Sequence, residues 1–135
     1  MKAIPVKAAG ENGYVRCAVV EATHVKLHLP GPAGQIVLPV VLRGKRDGTG
    51  CWSWNGDTDS PTLKPSVLIS SGCKVAGFDK ANDWCWCKYN AEHPEEKPHF
   101  HCYRCHTWIN DGKAQFLGDC THEHANKTLD LLEIE

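Results

Sequence analysis

Residues 105–117 read CHTWINDGKAQFL, and this stretch decides the fold. Asp111-Gly112 stands between two runs of strand-forming residues, the strongest short-range signal for a two-residue hairpin turn. With these two at the turn's centre, Ile109 faces Ala114, Thr107 faces Phe116 and His106 faces Leu117. Extending the same register puts Cys105 opposite Gly118 and Cys102 opposite Thr121. The hairpin thus gathers Cys102, Cys105, Cys120 and His122 at its open end, in the pattern C-x2-C-x14-C-x-H.

Upstream, residues 14–29 and 35–42 are rich in β-branched side chains. Val25, Leu27 and Leu29 alternate with Lys26 and His28, the period of a half-buried strand. Pro39 inside the second run marks an edge strand or a break. Val67-Leu68-Ile69 reads as a further short strand, and Leu129, Leu131 and Ile134 as part of a closing one. In Trp52-Ser53-Trp54 alternation sends one indole into the core, while Asn55, Asp57 and Thr58 bond the backbone of their own turn. Residues 82–90 fit a short helix after an asparagine cap, or a strand. The expected fold is mainly β: one small compact β-sheet domain over residues 1–135, a barrel or sandwich, carrying a zinc knuckle and an irregular insertion at about 73–101.

The chain has 135 residues, 41% hydrophobic and 23% charged, which suits one globular domain. A net charge of −1 argues against a protein that lives on phosphate contacts. No run is long and apolar enough for a secretory leader or a membrane span, so a cytoplasmic location without a membrane partner is expected. In a reducing compartment the eight cysteines point to metal or redox chemistry rather than disulfides.

Zinc suits the gathered donors, because it accepts mixed thiolate and imidazole ligands in a tetrahedron. The expected set is Cys102, Cys105, Cys120 and His122, with His106 as the main substitute. Cys17 and His24, in the first strand region, are the less favoured additions. Cys85-x-Cys87, with His93, His99 or His101, forms a candidate second site.

The stretches WSWNGDTDSPTLKPSVLIS and RCHTWINDGKAQFLGDCTHEHANKTLDL resemble a family of uncharacterised phage and prophage proteins. These share W-x-W-N-G, P-T-x-x-P-S-[VI], C-H-x-[FW]-[VI]-x-D-G-x-x-x-F-L and D-[CS]-T-H, and are often labelled ammonia monooxygenase. A membrane copper monooxygenase needs spanning helices, which this chain does not encode. The resemblance implies a phage origin and places Cys105-His106 and Asp119-Cys120-Thr121-His122 among the shared elements. Serine in place of Cys120 within the family shifts weight in the ligand set toward His106 and His122.

The preferred function at this level is a zinc-stabilised, non-enzymatic phage accessory protein that binds a host or viral protein. One alternative is a zinc hydrolase with His106, His122 and His124 as ligands and Glu123 or Asp119 as general base. The other is a nucleic-acid-binding zinc module using Lys97, Arg104 and Lys113 on phosphates and Trp108 as a stacking face; nucleic acid is the less expected partner.

Overall fold

The computed structural model describes residues 1–11, 13–44, 50–96 and 100–134. Lys97 and His99, both named from the sequence, lie outside the described residues. The mainly β class is borne out: nine strands form one mixed sheet, accompanied by a single short α-helix among the described residues.

In the first half, β1 (Ala3–Ala8) lies between β2 (Tyr14–Arg16) and β3 (His24–His28), and β3 pairs on with β4 (Gln35–Leu42). All these pairings are antiparallel. Pro39 sits where β4 changes partner: residues 35–39 pair with β3, whereas Val40–Leu42 pair in parallel with β5 (Trp52–Trp54). A residue without an amide proton suits that handover, because it has no ladder hydrogen bond to lose.

From β5 the sheet continues antiparallel through β6 (Leu63–Ser70), β7 (Arg104–Asn110), β8 (Lys113–Phe116) and β9 (Thr128–Asp130). The expected hairpin is β7–β8, with Ile109 opposite Ala114 and Thr107 opposite Phe116. Asp111 and Gly112 both take positive φ, as the tight turn requires. Burial along β7 alternates strictly: Cys105, Thr107 and Ile109 face inward, and His106 and Trp108 face outward.

One hydrophobic core joins the two halves, since Val25 and Leu27 of β3 belong to the same cluster as Leu63, Ile109 and Phe116. The C-terminal segment stitches the halves together from outside. Leu131 N–H donates to Gly112 C=O, Leu132 N–H to His28 C=O and Ile134 N–H to Met1 C=O. Trp54 is the indole that enters the core, at 1% exposure. Asn55 and Asp57 hold their own loop, their side-chain oxygens accepting from the backbone of Asp57, Asp59, Ser60 and Thr62.

The insertion between β6 and β7 carries α1 (Trp86–Glu92), a helix of seven residues with Cys85 at its N-cap. Aromatic side chains gather around it, with Trp86 against Trp84, Tyr89 and Phe100. No helix among the described residues is long and apolar enough to cross a membrane.

Candidate active site and tetracysteine cluster

Strand β6 does not pair evenly with β7. Leu63 faces Ile109 and Val67 faces Thr107, so three residues of β6, Lys64, Pro65 and Ser66, stand opposite Trp108 alone. This bulge re-aims the strand locally and brings Ser66 to the outer face beside His106, which lies directly across from Leu68. Ser66 Oγ is 3.0 Å from His106 Nε2. On the other side of the ring, His106 Nδ1 is 3.1 Å from each carboxylate oxygen of Asp119.

The carboxylate settles the tautomer. Ionised aspartate only accepts, so Nδ1 carries the proton and Nε2 presents a lone pair to the serine hydroxyl. A hydroxyl donating to an imidazole that a carboxylate orients is the geometry of nucleophile, base and orienter, recognised by roles and not by chain order. The His106 side chain is 25% exposed and that of Asp119 46%, so a substrate can reach the trio.

Neighbouring residues fix each member. Trp52 Nε1–H donates to Ser66 C=O at 3.2 Å, pinning the bulge. Cys120 Sγ receives His106 N–H and donates to His106 C=O, both at 3.2 Å. Leu117 N–H adds a bond to the same carbonyl at 2.8 Å. Thr121 anchors the loop that bears Asp119, its Oγ1 accepting from Arg104 N–H at 2.8 Å. The segment Asp119-Cys120-Thr121 therefore supplies an orienting carboxylate, a clamp on the histidine backbone and an anchor to β7.

The structure does not bring the expected ligand set together. Past Leu117 the hairpin register slips, and Thr121 N–H bonds to Arg104 C=O instead of facing Cys102. A turn at Gly118-Asp119 takes up the extra residues. It leaves Cys120 against His106 and Cys105, with Cys102 beyond reach. Cys105 is fully buried in the core, and burial together with Cys120 pushes its thiol up to about 12. His122 and His124 pack around Phe116, with Gly31 also beside them. Together with His106 they make no three-histidine zinc site. Burial, then His124, push the His122 imidazole below its ordinary value. Cys17 lies after β2, and His24 begins β3 with its ring against Tyr14.

A different set of thiols converges. Cys73, Cys85, Cys87 and Cys102 place their sulfurs within 4.8 Å of one another, the group among the described residues suited to hold a metal ion. From the expected main set only Cys102 belongs to it. Cys85 and Cys87 join Cys73 and Cys102 instead of His93 or His101; His93 stacks on Tyr89. Cys73 follows the end of β6, Cys102 precedes β7, and Cys85 and Cys87 open α1, so the cluster ties the whole insertion to the β6–β7 hairpin.

The donor set fits zinc. Four thiolates at about 2.3 Å in a tetrahedron lie about 3.8 Å from one another, and Cys73 Sγ and Cys87 Sγ are 3.8 Å apart. Burial pushes the Cys102 thiol up, but backbone N–H groups of Cys73 and Cys87 and the thiols of Cys87 and Cys73 outweigh it and bring it down to about 6. Burial, then Cys102 and Cys87, push the Cys73 thiol up to about 11, as expected of thiols crowded together. Gly72 makes room: a Cβ there would lie 2.3 Å from Cys102 Sγ.

Of the residues named for phosphate contact and stacking, Lys113 is paired with Asp130, and Arg104 and Trp108 share the outer face of β7 with His106.

The sequence contained all three members of the trio but no local signature for it. Ser66 is 40 positions from His106, and His106 is 13 from Asp119. The clue lay in three of the shared motifs, P-T-x-x-P-S, C-H and D-[CS]-T-H, which contribute Ser66, His106 and Asp119 in turn.

A family model described as "Bacterial ubiquitination-like system serine protease (BubE)" matches residues 20–117, well over half of the chain and the whole trio except Asp119. Neither a curated protein nor a solved structure matches the chain. The family match overturns the expectation of a non-enzymatic accessory protein, and the serine beside His106 is the side chain that the metal-ligand reading does not include. The trio formed by Ser66 of β6, His106 of β7 and Asp119 of the turn after β8 accords with that description, and the chain belongs to the BubE family of bacterial ubiquitination-like system serine proteases.

Proposed function

We propose that this protein is a serine hydrolase acting on an acyl bond of a polypeptide within a bacterial ubiquitination-like system. The observation that carries this reading is the continuous hydrogen-bonded line from Ser66 through His106 to Asp119. In the first half-reaction Ser66 Oγ attacks the substrate carbonyl while His106 Nε2 takes the hydroxyl proton. His106 then passes that proton to the leaving group as the acyl bond breaks, which leaves the acyl group esterified to Ser66. Water repeats the sequence: His106 accepts its proton, hydroxide adds to the ester carbonyl, and the proton returns to Ser66 as the acid departs. Asp119 stabilises the imidazolium and holds the ring's orientation throughout.

Zinc is the ion proposed for Cys73, Cys85, Cys87 and Cys102. Four protein ligands fill a tetrahedral shell, so the ion's contribution there is to folding and not to chemistry.

The test is covalent labelling with a fluorophosphonate. Wild-type protein is expected to gain one adduct on Ser66 by mass spectrometry, and Ser66→Ala and His106→Ala to gain none. Labelling of Ser66→Ala at the wild-type rate would refute the assignment.

A further inference from the structure

Three depressions run into one another on the outer face beside Ser66. The first is walled by Trp108 and by Pro65 and Lys64, the two residues preceding the nucleophile. The second shares Ser53 and Lys64 with it and adds Arg43 and Asn55. The third shares Arg43 and Asn55 and ends at Asp57 and Thr58. Together they make a groove that follows β5 and β6 lengthwise, because Ser53 is the rung partner of Lys64 and Asn55 N–H bonds to Thr62 C=O. Four residues of strand cover about 13 Å, so the groove accepts an extended peptide of about four residues.

The charged groups among its described lining residues are two cations, Arg43 and Lys64, and one carboxylate, Asp57. Arg43 and Lys64 are exposed, and among the described residues neither forms an ion pair. The acid at the far end is engaged: Asp57 Oδ1 accepts from the N–H groups of Asp59 and Ser60, and these hold its carboxyl below the ordinary value. Lys64 and Arg43 thus lie at the end and middle of the groove nearer Pro65, the neighbour of Ser66, and the ionised Asp57 lies at the far end with Oδ1 bonded to the loop's own backbone.

We propose that this groove binds an extended acidic segment of the polypeptide substrate, with Lys64 and Arg43 pairing its carboxylates while the scissile carbonyl lies at Ser66. The inference rests on the hydrolase reading for its orientation toward Ser66, but its binding can be measured without turnover. The Ser66→Ala protein is titrated with fluorescein-labelled hexapeptides rich in glutamate, in lysine, or in serine and alanine, and anisotropy is read at low and high salt. The glutamate-rich peptide is expected to bind at least about tenfold more tightly than the lysine-rich one and to weaken as salt rises. Adding Arg43→Glu and Lys64→Glu should abolish or reverse that order. Arg43→Gln with Lys64→Gln should level it, and serves if the reversed charges fail to fold. Equal binding of acidic and basic peptides, binding of none, or a preference that survives both double variants would overturn the proposal. Fluorophosphonate labelling separates the two readings. A labelled Ser66 without acidic preference removes the groove assignment alone. Acidic preference without labelling removes the hydrolase assignment alone.

Discussion

The histidine of the trio is held by its backbone as well as by its ring. Cys120 Sγ engages both N–H and C=O of His106, a task that a hydroxyl can perform and a methyl cannot. Cys120→Ser is expected to keep hydrolytic activity within a few-fold. Cys120→Val should lose about 1–2 kcal/mol of stability by leaving those groups unpaired and should lower kcat; denaturant titration and steady-state kinetics read both. His122 makes a second prediction at this scale. Burial, then His124, hold its folded-state value below the ordinary 6.5, so the unfolded chain binds the proton more readily. Stability is therefore expected to be unaffected by this group above about pH 6.5 and to fall as pH drops through and below it. His122→Gln should flatten the slope of Tm against pH between neutral and mildly acidic buffer. An unchanged slope would show that another group carries the proton.

Among the elements, the β7–β8 hairpin was legible because its information is local: Asp111-Gly112 sets the turn, and alternation sets which face is buried. The candidate sites were less legible because both depend on departures from regular pairing. The bulge at Lys64–Ser66 moves the nucleophile toward His106, and the turn at Gly118-Asp119 moves Cys120 away from Cys102. Neither leaves a periodic trace in the sequence. Four cysteines spread over 30 positions gather because the insertion folds back on the hairpin that flanks it. Gly72 is the residue this fold-back depends on. Its φ is +60°, and any Cβ would meet Cys102 Sγ at 2.3 Å. Gly72→Ala is expected to lower bound zinc well below one equivalent by elemental analysis, whereas Gly50→Ala, at an exposed position without a positive φ where a Cβ meets nothing within 4 Å, should leave the zinc content unchanged.

For the whole molecule, the sheet and the insertion draw their stability from different sources. The sheet has a continuous apolar core running from Ala3 to Leu131. Among the described residues between Cys73 and Phe100 the sole buried member of the apolar set is Cys85, one of the clustered thiols. Removal of the proposed zinc ion by a strong chelator is therefore expected to leave the sheet folded and to release the insertion. Hydrogen exchange should accelerate in α1 and around residues 72–102, with β3 and β8 still protected. Simultaneous loss of protection in all of them would mean that the ion stabilises the entire fold.

The tether between Trp52 and the carbonyl of Ser66 has an optical consequence. An indole bonded to the residue proposed to take up the acyl group reports on it, because altering the residue it touches alters its emission. The covalent intermediate should then be visible in stopped-flow fluorescence with no attached dye, and a phenylalanine at position 52 would darken that signal.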